Sequence, residues 1–504
     1  MKHKFIKLLL ILIGIVFFDI LFWEQNSGIN LSLFCLFLCV IGLYRKPILK
    51  QRRESLLALA MVLITSFNSV WHHSDLSITM LIISTIIFFG FLKQAELRTT
   101  FSAFFFSLIH VFSIPFAVLR SIKKFEKFNS VGKLLGRLIG NGLIPLIIFL
   151  VFFFIYRQAN PKFEELSQNL VFALGNMLEG VEIGRFFFIL FGLCLLSCAL
   201  LSSYFSVNSW LIGGDELIRK KNINKNQQST SSVAPLIFEN RTAIILFGVL
   251  NLLLLVINII DIDWIWFGFE VPQEFNLKQF VHEGTYLLIL SILLSIGILL
   301  YFFRGSLNFY PKNKMLLSLA KVWMIQNAVL CLSVFLRNYH YIDYHGMASK
   351  RIGVIAFLLM TFFGILSLWV KINRKKSLFF LLRINSWFIL SSLVFMSSFN
   401  WDKIIAIRNM NHHNAGEIDV DNYLFLDPTV APIIYDNLDI IEAQMEAHLN
   451  RTNKTKWLYY TNIDTFKLAL EDRIKMHLRK RLNDEWPAWN YADYRLKKFS
   501  YSMN

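Results

Sequence analysis

Long apolar stretches alternate with short polar segments along most of this chain. Each stretch runs for about fifteen to twenty-five residues, which matches the roughly 20 residues that a helix needs to cross a bilayer. One soluble domain would not bury so many such helices around a single core. The pattern predicts an all-α fold, a polytopic helical membrane bundle of about eleven spans. The predicted spans are 5–23, 29–44, 55–70, 76–92, 138–156, 183–203, 242–260, 284–303, 316–336, 352–370 and 378–398.

Residues 399–504 lack such stretches and form a tail of different character. Helical spacing predicts two helices there, at 437–450 and 463–484, after a turn-rich segment at 419–432. The second helix carries leucine and isoleucine four residues apart on one face and basic residues on the other. We expect this small helical tail to pack on the rim of the bundle or on lipid headgroups, or else to form a cap without membrane contact.

The distribution of charge predicts the orientation of the chain. The formal net charge is +17, and Lys and Arg gather in alternate loops, 30 on one side of the spans against 7 on the other. Cytoplasmic loops are the ones enriched in these residues, so the N-terminus is predicted to be cytoplasmic and the tail extracytoplasmic. Because the basic residues lie in short loops rather than on one folded face, nucleic acid is not a predicted partner. The lipid bilayer is the predicted partner.

Residues 101–119 break the alternation. The segment is apolar enough to span, yet basic residues flank it on both sides. If it crossed, either these charges would face outward or every later loop would invert. We therefore predict a re-entrant or interfacial helix on the cytoplasmic face, and a twelfth span is the alternative.

Composition divides the predicted membrane part in two. Residues 1–211 form an N-terminal bundle and residues 241–398 a C-terminal bundle, with the polar stretch 212–240 between them as a disordered cytoplasmic linker. The outer loop 157–182 has leucine and phenylalanine at helical spacing and is predicted to form an amphipathic surface helix.

Ionisable side chains near the bilayer are costly, so those in 281–351 are candidate functional residues. The densest polar cluster consists of His282, Glu283, Arg337, His340, Tyr341, Tyr344, Lys350 and Arg351. Glu283 and Arg337 both fall at the outer face by helical rise, which predicts an ion pair. Two independent headgroup anchors are the alternative.

Two amides lie inside a predicted span. Gln326 and Asn327 fall in the middle of 316–336, where interhelical hydrogen bonds are the usual role of such groups; contact with a transported substrate is the alternative. Arg304 and Asn308 mark the inner boundary, and Arg304 lies about 31 Å from Glu283 at 1.5 Å per residue.

Motifs that would indicate a reaction are absent. His282-Glu283 lacks the second histidine of a zinc-protease helix, and no phosphate-binding or nucleophile-elbow sequence occurs. All five cysteines fall in apolar spans, which disfavours a disulfide framework. The sequence predicts no catalytic residues, no metal and no cofactor, although a distributed zinc site among the outer histidines is an alternative.

Several segments resemble a known family. They are 281–286 (VHEGTY), 301–308 (YFFRGSLN), 323–327 (WMIQN), the spaced residues of 337–351, and 419–424 (DVDNYL). Together they resemble bacterial multi-spanning membrane proteins of unknown function, the domain-of-unknown-function families numbered 4153 and 4173. The resemblance implies an inner-membrane protein and supplies no catalytic residues.

Three functions remain open at this stage. The first is a non-enzymatic sensing or scaffolding component, with the tail as a candidate surface for a membrane or periplasmic protein partner. The second is a secondary transporter with a polar path near Glu283, Gln326 and Asn327. The third is a membrane enzyme acting on lipid-linked material through His282, Glu283 or His340.

Overall fold

The computed structural model describes residues 2–45, 52–110, 167–168, 183–200, 213–218, 233–267, 277–413, 418–450 and 458–503. Regular structure in these ranges is helical, and the β pairing within them is one isolated bridge between Glu216 and Lys376. The predicted all-α class is therefore confirmed for the described part of the chain. The predicted span 138–156 and the surface helix in 157–182 fall almost wholly outside it.

Eleven described helices precede residue 399. They are α1 (Lys2–Phe22), α2 (Ile29–Arg45), α3 (Arg53–Trp71), α4 (Asp75–Lys93), α5 (Thr100–His110), α6 (Ile183–Leu200), α7 (Val233–Asp261), α8 (Leu277–Phe302), α9 (Lys314–His345), α10 (Ser349–Asn373) and α11 (Leu378–Met396). Within the described residues, six helical stretches are long and apolar enough to cross a membrane: α3, α4, residues 236–267 of α7 and the π-helical turns after it, α9, α10 and α11. The chain is a membrane protein, and these six coincide with predicted spans.

Helix α9 is longer than predicted. The polar residues 337–345 were expected to form a loop, but they continue α9 to His345, and the turn is confined to 346–348. The expectation was wrong because polarity was taken for irregular structure, although no helix breaker occurs before Gly346. This glycine ends the helix with φ of +77°, a conformation that glycine adopts at little cost.

Buried apolar side chains form two clusters in the membrane part. One joins α1–α6, and the other joins α7–α10. Helix α11 belongs to both, because Phe380 and Leu381 lie in the second cluster whereas Leu390 and Val394 lie in the first. Trp387 of α11 stacks on Phe91 of α4 with ring centroids 5.5 Å apart. The C-terminal bundle predicted as 241–398 thus shares its last helix with the N-terminal one.

The described ends of the predicted linker 212–240 are ordered. Residues 213–218 lie against the turn before α11, where Ser377 donates its backbone N–H to Asp215 O at 2.8 Å. Arg98 and Arg383 both reach the Asp215 carboxylate, at 3.2 and 2.8 Å. At the other end, α7 already begins at Val233. Disorder was predicted from polarity alone, and these ion pairs account for the order at 213–218.

Part of the segment 101–119 is described as α5. It packs along α4, where Ser107 donates to Ile86 O at 2.7 Å and a Cβ on Gly90 would lie 2.2 Å from Ala103 O. Ala103 and Phe106 are buried. Residues 111–119 lie outside the described part of the chain, so the re-entrant course stays a prediction.

The residues after 399 form a C-terminal unit with its own core. Its helices are α12 (Trp401–Met410), α13 (Ala431–Tyr435), α14 (Leu438–Leu449), α15 (Ile463–Arg479) and α16 (Tyr491–Met503). The helices predicted at 437–450 and 463–484 correspond to α14 and α15, although α15 ends five residues early. Its apolar residues Phe466, Leu470 and Ile474 are buried inside this unit. This face of the helix therefore packs in the core of the C-terminal unit and not on lipid or on the rim of the bundle.

The C-terminal unit docks on one end of the bundle, which we call the docking end. The turns at 23–28, 72–74 and 346–348 lie there. Ile29 donates its backbone N–H to Trp489 O at 2.8 Å, and the rings of Trp71 and Tyr491 stack with centroids 4.2 Å apart. Arg481 contacts His73 at 3.1 Å, and burial lowers the pKa of His73. Backbone and aromatic contacts therefore hold the unit against α2 and α3.

We expect Gly28→Ala to loosen this docking. A Cβ at Gly28 would lie 2.3 Å from the backbone carbonyl of Ala488, which cannot yield as a side chain would. Overpacking of this kind costs about 1–3 kcal/mol, and the readout is faster amide hydrogen exchange at 486–490. The matched control is Gly297→Ala in α8, where nothing lies within 4 Å of the new methyl group. Slower or unchanged exchange at 486–490 in the Gly28 variant would contradict the expected docking contact.

Candidate functional site

A polar cleft lies where the turn between α9 and α10 meets the C-terminal unit. It encloses about 420 Å³. The bundle side contributes Lys350 and Arg351, and the C-terminal unit contributes Asp402, Asp419 and Tyr423. The cleft therefore has a cationic wall and an acidic wall, and each wall belongs to a different structural unit.

The turn that forms the cationic wall is held by one side chain. Asn409 of α12 accepts a hydrogen bond from Met347 N at 2.7 Å and donates one to Met347 O at 2.9 Å. A Cβ at Gly346 would lie 2.8 Å from the Asn409 oxygen and 2.6 Å from Ile418, so this residue must be small as well as left-handed. The C-terminal unit thus forms hydrogen bonds to the backbone of the turn directly before α10.

The two cations of this wall differ in their surroundings. Arg351 donates to Gly346 O and lies over the ring of Tyr341, 4.2 Å from its centroid. Asn338 donates to Arg351 O at 3.1 Å, so α9 also braces this residue. Lys350 is exposed, and no ion pair involves it within the described residues. Arg351 is therefore fixed in place, whereas the Lys350 ammonium is available to a ligand.

The acidic wall is partly buried. Asp402 accepts a hydrogen bond from Asp427 N at 3.0 Å. Burial raises the pKa of Asp402, and the hydrogen bond from Asp427 opposes this effect. Tyr423 donates its hydroxyl to Gln444 at 3.1 Å, and burial raises the pKa of this phenol. These contacts orient the wall from within the C-terminal unit.

A buried ion pair lies under the same end of α9. Arg337 contacts Asp261, and their side chains are 9% and 3% exposed. Asp261 ends α7 and leads into the π-helical turn Ile262–Phe267, where Trp266 donates to Ser333 Oγ at 3.0 Å. Breaking such a pair leaves a buried charge without compensation, so it fixes the register of α7 on α9.

Amides extend this polar contact deeper between α7 and α9. Gln326 donates to Asn251 Oδ1 at 3.1 Å, and Asn258 donates to Gln326 O at 3.1 Å. Asn327 donates within its own helix to Trp323 O at 2.8 Å. Gln326 therefore has the predicted role of joining two helices by a hydrogen bond, whereas the bond donated by Asn327 stays within α9. The spacing of Asn251, Asn258 and Asp261 on one face of α7 was a signal for this interface that sequence reasoning missed.

Within the predicted cluster, the structure brings Tyr341 and Arg351 into contact. Tyr344 lies one turn beyond Tyr341, its ring 4.8 Å from that of His345. A ring nitrogen of His340 lies 3.1 Å from Ile265 O, against the π-helical turn. The described residues of the predicted site therefore lie at the end of α9 and the start of α10, between α7 and the cleft.

His282 and Glu283 lie in the first turns of α8, and their side chains are outside the described part of the structure. The ion pair of Glu283 with Arg337 therefore stays a prediction. Arg337 does contact Asp261, which ends α7.

Arg304 and Asn308 lie at the opposite end of the bundle, after α8. Arg304 lies over the ring of Tyr301, 4.2 Å from its centroid, and Asn308 donates to Phe303 O at 2.9 Å. These contacts close the turn between α8 and α9, which is consistent with a boundary role.

No group of three or more His, Cys, Asp or Glu side chains in the described ranges is arranged to hold a metal ion. The cleft contains both signs of charge but no such group.

A family model described as Domain of unknown function (DUF4153) matches residues 8–437. The chain belongs to this family. No match is found among curated proteins or among solved structures. Both walls of the cleft lie inside the range that the DUF4153 model matches, whereas α14–α16 lie beyond it.

We expect Arg337→Gln to destabilise the protein strongly. It would leave the Asp261 carboxylate buried without its cation, at a cost of about 3–5 kcal/mol. The double variant Asp261→Asn with Arg337→Gln should recover most of the loss, as measured by thermal unfolding in detergent. The control is Lys376→Gln, which breaks an ion pair whose glutamate, Glu216, is 67% exposed and should cost at most about 1 kcal/mol. Equal losses in the single and double Arg337 variants would show that the two side chains are not coupled.

Proposed function

We propose that this DUF4153 protein is a multi-pass inner-membrane protein with about eleven spans, a cytoplasmic N-terminus and an extracytoplasmic C-terminal unit. The excess of Lys and Arg in alternate loops supports this orientation. Ion pairs support it too, because they join different basic loops at the end opposite the docking end. Arg98 and Arg383 pair with Asp215, and Lys376 pairs with Glu216. The C-terminal unit lies against the loops that carry few cations.

We further propose that the protein is a non-enzymatic sensing component, in which the cleft receives a ligand and the C-terminal unit reports its presence. The observation that carries this proposal is the position of the C-terminal unit across both bundles. It contacts α2 and α3 through Trp489 and Tyr491, and it contacts the turn before α10 through Asn409. A ligand between the two walls of the cleft would therefore act on both bundles at once.

The transporter alternative receives less support from the same contacts. It required Glu283, Gln326 and Asn327 to line a water-filled path, but the Gln326 amide is used in a hydrogen bond to Asn251 between α7 and α9. An interhelical bond of this kind stabilises the packing of two spans. The geometry favours a fixed helix pair there.

The proposed orientation predicts which cysteines react from outside the cell. We expect Tyr501→Cys, at an exposed position of α16, to react with a membrane-impermeant maleimide on intact cells. Lys312→Cys, exposed at the opposite end, should react only after the membrane is permeabilised. The unsubstituted chain, with its native cysteines, gives the background. Labelling of Lys312→Cys on intact cells would reverse the proposed orientation.

The sensing proposal predicts that the two anchors are coupled. We expect Tyr491→Ala, which removes the stack on Trp71, to speed amide exchange at 346–352 in the full chain in nanodiscs. A stacked aromatic pair contributes about 0.5–1.5 kcal/mol beyond its area, which corresponds to roughly two- to tenfold in the opening equilibrium.

The matched control for this coupling is Tyr501→Ala, because Tyr501 is on the same helix but 70% exposed. It should leave exchange at 346–352 unchanged. If Tyr491→Ala alters exchange only beside Trp71, the C-terminal unit does not connect the bundles and the sensing proposal fails.

A further inference from the structure

An apolar groove runs along the surface between α10 and α11. It encloses about 650 Å³ and is lined by residues from Ile352 to Leu366 on α10 and from Phe388 to Met396 on α11, and by Trp401. Phe363 and Phe388 stack across it with ring centroids 3.8 Å apart. Leu359 and Phe395 are 58% and 65% exposed. Both helices are candidate spans, so this groove faces hydrocarbon.

The groove and the polar cleft are lined by consecutive residues of the chain on both walls. Arg351 lines the cleft and the next residue, Ile352, lines the groove. On the other side, Trp401 lines the groove and Asp402 lines the cleft. The change from apolar to polar lining therefore occurs within one residue on each wall, at the first turn of α10 and the first turn of α12.

The level of this junction corresponds to the membrane surface. Helix α10 begins at Ser349 and α11 ends at Met396, so the spans stop where the polar cleft begins. From Ile352 to Leu366 the groove follows α10 for about 21 Å at 1.5 Å per residue. Half of a hydrocarbon core is about 15 Å, so the groove is long enough for the acyl chain of one leaflet.

The charges of the cleft select a headgroup that carries both signs. Lys350 presents a cation at the bundle wall, whereas Asp402 and Asp419 present carboxylates at the opposite wall. A purely anionic headgroup would meet the two carboxylates, and a purely cationic one would meet Lys350 and Arg351. A phosphate that bears an amine a few atoms away matches both walls.

We propose that the groove and the cleft together bind one aminophospholipid of the phosphatidylethanolamine class. One acyl chain lies between α10 and α11, the phosphate contacts Lys350, and the primary ammonium donates hydrogen bonds to the carboxylates of Asp402 and Asp419. This inference rests on the proposed function and names the ligand of the sensing cleft. The lipid joins the bundle wall to the C-terminal unit, so its binding stabilises the docked state.

The test is native mass spectrometry of the full chain in detergent, with phosphatidylethanolamine, phosphatidylcholine or phosphatidylglycerol added at equal concentration. We expect phosphatidylethanolamine to bind about tenfold more tightly than phosphatidylcholine, since charged hydrogen bonds to the carboxylates are lost with a quaternary ammonium. Phosphatidylglycerol should also bind weakly, because it has no cation for the acidic wall.

Two substitutions test the two parts of the site. Lys350→Glu should weaken the binding of phosphatidylethanolamine by repelling the phosphate, and Ala356→Trp should reduce binding by filling the groove. The matched controls are Lys312→Glu, at an exposed lysine of the opposite end, and Leu252→Trp, at a lipid-facing position of α7 that is 68% exposed. Both controls should bind the lipid as the unsubstituted chain does.

Equal binding of phosphatidylethanolamine and phosphatidylcholine would overturn the proposal, and so would unchanged binding of phosphatidylethanolamine in Lys350→Glu. Glycerophosphoethanolamine, the soluble headgroup, is added as competitor. If it displaces the lipid at equal concentration, the groove contributes nothing and the ligand is not a lipid. None of these outcomes alters the Tyr491→Ala exchange test, so failure of the lipid proposal is distinguishable from failure of the sensing proposal.

Discussion

The pair of hydrogen bonds between Asn409 and Met347 is the contact on which the candidate site depends. It fixes the three-residue turn from which α10 starts, and α10 in turn forms one wall of the groove and one wall of the cleft. The Asn409 side-chain amide uses both its oxygen and its NH2 group on the N–H and C=O of one residue, and hydrogen-bond distances vary by only a few tenths of an ångström. Without them the cationic wall would have no defined distance from the acidic wall.

Helix α11 has a comparable role inside the membrane. Its first half packs in the cluster of α7–α10 and its second half in the cluster of α1–α6. Asn68 of α3 reaches Ser398, just beyond α11, at 2.9 Å, and Trp387 donates to Arg98 O at 3.1 Å. The C-terminal unit follows directly after this shared helix. A change in the packing of either bundle is therefore transmitted to the start of the C-terminal unit through covalent connection as well as through contact.

Much of the membrane part could be predicted, because a bilayer imposes a length and a polarity on every span. The residues of the candidate site were harder to assign. Arg337 and Arg351 were identified from their charge, whereas Asp261, Asp402 and Asn409 were not among the candidate residues. Asp261 contacts Arg337, 76 positions away in the chain, and Asn409 bonds to Met347, 62 positions away, whereas Asp402 lines the same cleft as Arg351. No local sequence pattern indicates a contact between residues so far apart in the chain. The length of α9 was misjudged because its last polar residues were assigned to a loop.

By itself the sequence determined that the chain is helical, where most of the described spans lie, and which loops are basic, since these follow from hydropathy and charge along one dimension. The tertiary structure decided which partner each buried charge finds, that α11 joins the two bundles, and that an apolar groove continues into a cleft with charges of both signs. Those features depend on which faces of the helices meet. The apolar spans are similar in hydropathy all round, so their packing is chosen by a few amides, aromatic rings and glycines whose partners become apparent only in three dimensions.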